Sequence, residues 1–449
     1  MNVTEAALYY AASALWLRRM IANRAVSPER LRRRQIARLR AALTHARSHY
    51  PFYRARLEEA GIDPGRFSDL DDLRRLRPLD REAYREFAES PETESVRRAP
   101  STTFGLTSGS SGRPIKAFRS PGERARQTAK FFMALFLNGY RIRDKTFQIS
   151  MPGEATTRDG WQKKLGILGG THVSGGEDVT MWIEAYSRLR PEILYSDLCH
   201  LVRMALYAAE HGISLVRPKL CVSYGETMDG ASRRILAETF GGGNTVQMYG
   251  SAEFGLLGFQ TRTTPFFHLC HETSYFELET GPAAEGAGGA ILVTDLYPRP
   301  CPLIRYRLGD SVVFGLEGGL PVLRSIIGRE NDLIRLPDGS RHGSPVFEMI
   351  MERRTEVLQY RIVQSVPDEL DISIVARKDS DRDALTARIV GDLEREFSPA
   401  LRYRVHHVPR IAPDPSGKQR ALVSKLAQTA ISPPRDIGGT TRCSVSPRR

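Results

Sequence analysis

The chain has 449 residues, of which 41% are hydrophobic and 26% are charged, and its formal net charge is +13. This length predicts two or three domains, and the hydrophobic content is enough for a large core, which excludes a chain that is disordered as a whole. Ten Arg minus one Glu in residues 18–47 give +9, and four Arg minus one Asp in residues 433–449 give +3. The body of the chain is therefore nearly neutral, and no specific nucleic-acid partner is expected.

The apolar stretch of residues 6–17 dominates the start of the chain. It is too short to span a bilayer, and Arg18 and Arg19 follow it rather than precede it, unlike the charges of a signal peptide. We therefore expect residues 1–28 to form an apolar and basic helix that packs on the protein or lies on a membrane surface. Peripheral membrane contact through this helix stays open, as does a homodimer.

A helical region of about a hundred residues follows. Apolar residues at helical spacing predict a helix from Glu29 to about His49, which Pro51 should end. Further helices are predicted at residues 54–60, 68–73 and 79–82.

Residues 107–114 read Thr-Ser-Gly-Ser-Ser-Gly-Arg-Pro, with four hydroxyl residues and two glycines in the first six positions. Glycine allows a tight turn and close approach to a ligand, and exposed N–H groups and hydroxyls form a concave surface for phosphate oxygens. The chain contains no Gly-x4-Gly-Lys-Ser/Thr, so this is not a Walker A loop. We interpret it as a phosphate-binding loop, with a flexible polar linker as the alternative.

The region from 121 to 249 alternates helices with short apolar strands, which favours an α/β sheet with crossover helices. Helices are predicted at 121–138, 181–189, 198–212 and 231–240, and strands at 146–150, 193–195, 220–224 and 245–249. Residues 153–178 are interpreted as a glycine-rich loop with one short strand.

From His268 onward, strands separated by Gly and Pro predict a β-rich subdomain or small barrel. Its strands are expected at 275–279, 289–294 and 303–307. After Gly328, strands at 360–364, 371–375 and 401–405 and a helix at 382–396 predict a smaller α+β unit. Residues 432–449 lack periodicity and are predicted to be disordered.

The five cysteines are scattered, odd in number and without a Cys-x-x-Cys pair. They favour a reducing, cytoplasmic location over a disulfide framework or a zinc site. His268 and His271 flank Cys270, but without a cysteine pair they are not expected to bind a metal ion.

Four further clusters carry polar groups suited to a nucleotide. Residues 249–253 follow a strand, where α/β sheets bind ligands; an aromatic ring there can stack on a base, and Glu253 can hold Mg²⁺ through oxygen. Asp310 ends the sequence Arg-Tyr-Arg-Leu-Gly-Asp and can accept hydrogen bonds from a ribose diol. Arg329 lies between the large and small parts, and Lys418 lies on a Ser-Gly-Lys turn. Taken singly, these clusters could be a strand end, a β-turn, a surface ion pair and a solvated lysine.

In this order and spacing, the five motifs resemble those of the adenylate-forming superfamily, and most closely its phenylacetate–CoA ligase branch with the CapK-like and coenzyme F390 synthetase-like members. The loop at 107–112 is similar to the family's phosphate loop, and residues 249–253 to its aromatic-Gly-x-Thr/Ser-Glu motif. Residues 306–310 resemble its Tyr-Arg-Thr-Gly-Asp motif, and residues 328–332 its hinge. Ser-Gly-Lys at 416–418 matches its catalytic-lysine motif. The resemblance covers roughly residues 29–426.

The resemblance implies an α/β fold with a large N-terminal domain, at 29–328, that contains α/β sheets and a β-rich subdomain. A small, mobile α+β domain at 329–431 would carry the lysine. It also implies ATP, Mg²⁺ and, as acceptor, most often coenzyme A. A carboxylate would attack the α-phosphorus of ATP, and a thiol or amine would then take the acyl group from acyl-AMP.

The resemblance also assigns roles to single residues. The catalytic residues would be Lys418 and Glu253, and Glu253 would hold Mg²⁺. The ATP-binding residues would be Thr107, Ser108, Gly109, Ser110, Ser111, Gly112, Tyr249, Gly250, Ser251, Asp310 and Arg329. The acid would bind between residues 169–176 and Tyr224, Gly225 and Glu226, for which core packing and a turn are the alternative.

Three positions depart from the family pattern: Ala252 replaces Thr or Ser, Leu308 replaces Thr, and Asn331 stands where many members have Asp. The turn at residues 336–339 also looks CapK-like. These departures keep two alternatives to a CoA ligase open. One is an amide-forming ligase in polysaccharide or natural-product assembly, and the other is a non-catalytic nucleotide-binding scaffold.

Overall fold

The computed structural model describes residues 3–106, 115–150, 169–398, 401–412, 414 and 419–426. Its helices are α1 (Val3–Ala22), α2 (Pro28–His49), α3 (Pro51–Glu59), α4 (Arg81–Glu89), α5 (Glu94–Arg98), α6 (Pro121–Leu137), α7 (Val179–Leu189), α8 (Leu198–Glu210), α9 (Gly230–Phe240), α10 (Ser344–Glu352) and α11 (Arg382–Glu396). Short 3-10 helices cover Asn23–Ala25, Asp71–Arg75, Pro91–Thr93 and Glu330–Asp332.

The strands of the first half are β1 (Thr103–Leu106), β2 (Lys116–Arg119), β3 (Thr146–Ser150), β4 (Gly170–Ser174), β5 (Ile193–Asp197), β6 (Leu220–Tyr224), β7 (Thr245–Ser251), β8 (Gly255–Thr261), β9 (Thr264–Leu269) and β10 (Ser274–Leu278). Those of the second half are β11 (Gly281–Pro282), β12 (Gly288–Asp295), β13 (Tyr306–Glu317), β14 (Leu320–Arg329), β15 (Ile334–Arg335), β16 (Arg341–His342), β17 (Val357–Val366), β18 (Glu369–Ala376), β19 (Arg402–His407) and β20 (Leu422–Ser424).

The N-terminal helical region forms where capping residues predict it. The Ser27 hydroxyl accepts a hydrogen bond from the N–H of Arg30 at the start of α2, and the Asp80 carboxylate accepts one from Ala83 at the start of α4. The prediction for Pro51 is incomplete, because this residue also begins α3, at the first helical position where the missing N–H costs nothing. The helix predicted at 68–73 is wrong; only the 3-10 helix Asp71–Arg75 forms there.

Twelve strands form one sheet in the order β11-β10-β12-β13-β14-β9-β8-β7-β6-β5-β3-β4. The strands from β4 to β7 pair in parallel, and those from β7 to β11 pair antiparallel wherever they are neighbours. Leu194 and Cys221 face a core with α7, α8 and α9, whereas Ile193 and Val222 face a core with α1 and α6. Alternating side chains thus bury both faces of the parallel half, as its near-continuous apolar strands require.

The β-rich half contains more strands than the sequence analysis predicts. The hairpin of β8 and β9 was not predicted, and the strand expected at 303–307 begins only at Tyr306, because Arg305 has a φ of 50°. The turn between β13 and β14 is Gly318-Gly319, both with positive φ, between the paired residues Glu317 and Leu320. A two-residue Gly-Gly turn is a strong hairpin signal, and it marks a hairpin that the sequence analysis missed.

A separate four-stranded sheet in the order β19-β18-β17-β20 follows, with α11 packed on it around its own apolar core. The helix predicted at 382–396 is confirmed, and Asp381 caps it by accepting a hydrogen bond from Ala384. The sheet and its helices give the predicted α+β character of the C-terminal part.

Helix α1 packs against α6, where the hydroxyls of Tyr9 and Thr128 are in contact, and Trp16 meets Tyr297 edge-to-face at 5.1 Å between ring centroids. Its outer face exposes Leu8 and Leu15 by 67% and 69%. Within the described residues, no helix is both long enough and apolar enough to cross a membrane.

Candidate active site

The sheet curves so strongly that side chains on distant strands meet. Tyr249 on β7 and Asp310 on β13 are separated by β8, β9 and β14. In a flat sheet, four spacings would put them about 19 Å apart. Instead, the Tyr249 hydroxyl donates a hydrogen bond of 2.8 Å to Asp310 Oδ2. The antiparallel half therefore curves over the end of β7, within the β-rich region that the sequence predicts.

Tyr249, Asp310 and Arg329 form a group that we call the Asp310 cluster. Asp310 and Arg329 are paired across β13 and β14, and Arg329 Nε lies 2.9 Å from Asp310 Oδ1. Arg329 also donates to the backbone carbonyl of Leu308. This contact does not depend on the side chain, so it is kept although Leu308 replaces the Thr of the family motif. The Asp310 charge raises the pKa of Arg329, whereas burial and then Asp310 raise the pKa of Tyr249. Both groups keep their protons and present donors to one carboxylate.

Glu253 lies beside this cluster, in the turn between β7 and β8. Its Oε1 accepts a hydrogen bond of 2.9 Å from the Tyr306 hydroxyl, and its Oε2 has no hydrogen-bond partner among the described residues. Its backbone carbonyl accepts from the buried Arg299, which also pairs with Glu123 at 2.7 Å. Arg299 therefore holds the backbone of this turn in place. The second carboxylate oxygen of the buried Glu253 side chain is available to a ligand.

A single carboxylate with a free oxygen fits Mg²⁺, which typically uses one or two protein carboxylates together with substrate phosphates and water. Within the described residues, no group of three or more His, Cys, Asp or Glu side chains could hold a metal ion.

Gly250 is required by the close approach of two strands. A Cβ at this position would lie 2.4 Å from the carbonyl oxygen of Gly255, so a side chain would force β7 and β8 apart. Gly309 has a φ of 78°, which favours glycine just before Asp310. Both glycines therefore allow the backbone conformations that position Glu253 and Asp310. The neighbouring Ser251 accepts a hydrogen bond from the N–H of Phe254 and closes the turn.

Tyr224 is the last residue of β6 and residues 225–226 follow it, at the carboxyl end of the parallel strands. The rings of Tyr224 and Tyr195 stack at 4.4 Å, and Phe131 of α6 meets Tyr195 edge-to-face. Gly225 has a φ of 82°, and a Cβ there would lie 2.4 Å from Asp197 Oδ1. We call this surface, which is formed by Phe131, Tyr195, Asp197 and residues 224–226, the acid wall; it carries aromatic rings on one side and carboxylates on the other.

Two polar residues of this wall were not predicted from the sequence. Asp197 ends β5, and His200 lies one turn into α8, with Nδ1 at 3.9 Å from Asp197 Oδ2. Burial lowers the pKa of His200 to about 4, so the imidazole is neutral at physiological pH. A Cβ at Gly175 would lie 2.4 Å from His200 Nε2, so a glycine leaves room beside the ring. The signal for both residues was their position at a strand end.

The C-terminal part touches this wall directly. The N–H of Gln419 donates to Glu226 Oε1, while Glu226 Oε2 accepts a hydrogen bond of 2.8 Å from the N–H of Cys199. One residue further on, Arg420 pairs with Asp332 at 2.8 Å and with Asp414 at 2.9 Å. The segment next to position 418 is therefore held against the large sheet.

Several predicted site residues lie outside the described residues. They are Thr107, Ser108, Gly109, Ser110, Ser111, Gly112 and Lys418. The predicted tail at 432–449 and most of the glycine-rich loop, at 153–168, also lie outside them. Within the described part, the structure brings Tyr249, Glu253, Asp310 and Arg329 together, and Glu226 belongs to the separate wall.

No family model matches the chain. It is 26% identical to the phenylacetate–coenzyme A ligase of Thermus thermophilus over 374 residues, which cover 77% of this chain and 81% of that protein. It is 25% identical to protein CapK of Staphylococcus aureus over 263 residues, which cover 56% of this chain and 57% of CapK. The chain is thus similar to members of the phenylacetate–CoA ligase and CapK-like branch, which its motifs also resemble.

A third similar protein is the indoleacetate–lysine synthetase of Pseudomonas savastanoi, at 29% identity over 155 residues, or 33% of this chain and 37% of that protein. Among solved structures, 2-hydroxyisobutyryl-CoA ligase in its postadenylation state has a TM-score of 0.72 at 18% identity, over 87% of this chain and 88% of that one. The same ligase in its thioesterification state has a TM-score of 0.59 over 89% of this chain and 90% of that one. These likenesses show that the fold is that of an adenylate-forming enzyme.

Proposed function

We propose that this protein is an AMP-forming ligase that activates a small-molecule carboxylic acid as its acyl-adenylate. The observation that carries this proposal is the meeting of the Asp310 cluster with Glu253 at the curved end of β7. Carboxylate, guanidinium and phenol groups there suit a ribose diol and an aromatic base, and a free carboxylate oxygen lies beside them.

In this proposal, Asp310 accepts hydrogen bonds from the ribose hydroxyls, and Arg329 holds that carboxylate in place. Tyr249 and Gly250 line the adenine, and residues 107–112 bind the β- and γ-phosphates. Mg²⁺ held by Glu253 would neutralise charge on the phosphates as pyrophosphate leaves.

The first step forms a bond between a carboxylate oxygen and the α-phosphorus, and breaks the bond from that phosphorus to pyrophosphate. Negative charge accumulates on phosphate oxygens in the transition state, and Lys418 would stabilise it by bridging carboxylate and phosphate. In the second step, the acceptor attacks the acyl carbon and the bond from that carbon to the bridging oxygen breaks. AMP leaves and keeps this oxygen, which came from the carboxylate of the acid.

We also propose that residues 329–431 form a mobile domain that delivers Lys418 for the first step and withdraws for the second. The separate apolar core of this part supports the division. So does the contact of Gln419 with Glu226, which brings the residue next to Lys418 against the acid wall. The higher TM-score with the postadenylation state than with the thioesterification state agrees with this arrangement.

The test is exchange of labelled pyrophosphate into ATP with a panel of carboxylic acids. We expect exchange that depends on one class of acid and that is lost in Lys418→Ala. Absence of exchange with every acid, together with tight ATP binding, would instead favour the non-catalytic scaffold.

The acceptor is either a thiol, with coenzyme A as our first choice, or an amine. Similarity to a phenylacetate–coenzyme A ligase supports the thiol, whereas similarity to CapK and to an indoleacetate–lysine synthetase supports the amine. Trapping with hydroxylamine would detect the adenylate for either acceptor. In separate reactions without hydroxylamine, addition of coenzyme A or of amines, with AMP release as readout, would distinguish the two acceptors.

Three further expectations belong here. Exposed Leu8 and Leu15 on α1, next to Arg18 and Arg19, support peripheral contact with an anionic membrane, which co-sedimentation with vesicles rich in phosphatidylserine tests.

The four described cysteines are free, in agreement with a reducing cytoplasm. A homodimer stays a prediction for analytical ultracentrifugation.

A further inference from the structure

A cavity of about 450 Å³ lies under the segment that joins α1 to α2. Its walls come from this segment, from α6 and from strands β8, β9 and β14. Its volume falls in the range of about 300–1,000 Å³ that is typical of small-molecule sites. None of its lining residues belongs to the Asp310 cluster, to Glu253 or to the acid wall.

The walls of the cavity are mainly apolar. The principal apolar residues are Met20, Leu31, Met133, Phe259, Leu269 and Val322. At the rim, Arg24 and Gly318 are exposed, so a ligand can enter from that side. An aliphatic ligand would exchange contact with water for contact with these side chains.

One cation lines this cavity from inside. Lys130 of α6 is 3% exposed, and its ammonium group donates a hydrogen bond of 2.8 Å to the carbonyl of Phe254. It forms no ion pair with any residue in the described part of the chain. An ammonium has three donors, so two remain for a ligand.

The two acidic residues that line the cavity each lie close to a residue other than Lys130. Glu272 lies 2.7 Å from Arg38, and Glu317 lies 3.1 Å from His268. Neither carboxylate therefore compensates Lys130. Asp295 and Glu123 act on Lys130 from a distance and raise its pKa, but burial outweighs them and lowers it. A buried charge that is not paired directly is costly. An anion that entered the cavity would remove this cost.

We propose that this cavity is a second ligand site, which binds an aliphatic monocarboxylate with its carboxylate on Lys130 and its chain along the apolar walls. A single ammonium suits one negative charge, and the walls offer few other donors for a larger polar head group. The site is separate from the adenylation site, and its occupancy does not require ATP.

Occupancy of the cavity would be communicated to the turn that carries Glu253. Phe254, whose carbonyl accepts the Lys130 hydrogen bond, directly follows Glu253 in the chain. A carboxylate on Lys130 would compete for this ammonium and change the support of that turn. An aliphatic acid at this site would thus regulate the neighbouring adenylation site.

The test is titration calorimetry of the full chain with decanoate, without nucleotide. We expect one saturable site in the wild type that is at least about 10-fold weaker in Lys130→Met, because hydrogen bonds to charged groups are of that strength. Decan-1-ol, with the same chain and no charge, should bind as weakly to the wild type as decanoate binds to the variant. Lys378→Met, a change of the same kind at an exposed lysine, should bind decanoate like the wild type.

A second variant keeps the proposal testable if Lys130→Met does not fold. Leu320→Trp enlarges a side chain that lines the cavity and should abolish the decanoate site. Asp310→Asn should leave decanoate binding unchanged while it impairs pyrophosphate exchange. The proposal is overturned if the wild type binds no decanoate, if decan-1-ol binds equally well, or if only Asp310→Asn reduces binding.

Discussion

The Asp310 cluster and the acid wall are two polar regions of one sheet, but they are assembled in different ways. In the Asp310 cluster, three side chains from β7, β13 and β14 satisfy one another within the large sheet. In the acid wall, Glu226 shares its two oxygens between Cys199 of the large sheet and Gln419 of the C-terminal part.

The polar groups of the Asp310 cluster therefore contact one another within the large sheet, whereas the acid wall includes a contact with the C-terminal part. The three side chains of the Asp310 cluster lie on strands of the large sheet, so we expect this cluster to stay intact and to bind nucleotide wherever residues 419–426 lie. The acid wall is complete only when the C-terminal part lies against it. We therefore expect changes in the first region to affect ATP use generally, and changes in the second to affect adenylation alone.

The largest effect is expected from Glu253→Gln, which removes the negative charge that we propose binds Mg²⁺. Adenylation should fall by about 10²–10³-fold, as for loss of one preorganised electrostatic contact in an active site. Pyrophosphate exchange at saturating ATP and increasing Mg²⁺ measures it. Glu285→Gln, at an exposed ion pair with Arg324, should leave the rate unchanged, and an unchanged rate in Glu253→Gln itself would exclude a role in metal binding.

Asp310→Asn should have the next largest effect. Tyr249 and Arg329 would each lose a charged acceptor, and such hydrogen bonds contribute about 1.5–3 kcal/mol each. We expect kcat/KM for ATP to fall by about 10- to 100-fold in adenylation. Asp368→Asn, at an exposed ion pair, is the control. A defect confined to the acid, with ATP use intact, would move Asp310 out of the nucleotide site.

Glu226→Gln should have a smaller and more selective effect. One of its two backbone N–H donors would then face an NH₂ group, at a cost of about 1 kcal/mol, or about 5-fold in rate. Adenylation should slow, while transfer from preformed acyl-AMP should not. Single-turnover assays of the two half-reactions measure this. Equal slowing of both would show that the contact with Gln419 is not specific to the first step.

The smallest effect on activity is expected at the contact of α9 with α10, where Glu348 lies near Asp229 and Glu352. A change there should alter the stability of the fold rather than the reaction. Burial, followed by these two carboxylates, raises the pKa of Glu348 to about 8. The folded protein therefore binds this proton more tightly than the unfolded chain, whose ordinary value is 4.5. Its contribution to stability is full below pH 4.5 and is lost as the pH rises through about 8.

Glu348→Gln should remove this dependence and raise the melting temperature most at the alkaline end. Thermal unfolding of both proteins across this pH range measures it, with Glu285→Gln as a control. A wild-type melting temperature that rises between pH 4.5 and pH 8 by more than that of Glu348→Gln would reverse the assigned sign.

Local patterns predicted most helices and the parallel strands, because these depend on periodicity and capping near in sequence. Helix α11 and its cap at Asp381 are an example. The union of twelve strands in one curved sheet was not predictable, since pairs such as Val322 with His268 join distant segments. The motifs that contain Tyr249, Asp310 and Arg329 could be identified in the sequence, because they occur in the order and at the spacing of the family's motifs.

What the sequence did not reveal were contacts made by burial or closure. Arg299 stands between two prolines with no periodicity to mark it, yet it is fully buried and holds the carbonyl of Glu253. Glu226 and Gln419 are 193 residues apart, and only the folded chain joins them.

The central claim is that a carboxylate attacks the α-phosphorus of ATP, and isotope transfer tests it most directly. The acid that supports exchange would be labelled with ¹⁸O in its carboxylate and incubated with ATP and an acceptor. We predict that AMP carries one ¹⁸O atom in its phosphate, detected by mass spectrometry or by the shift of its ³¹P resonance. Unlabelled AMP, or ADP with label in inorganic phosphate, would contradict the account.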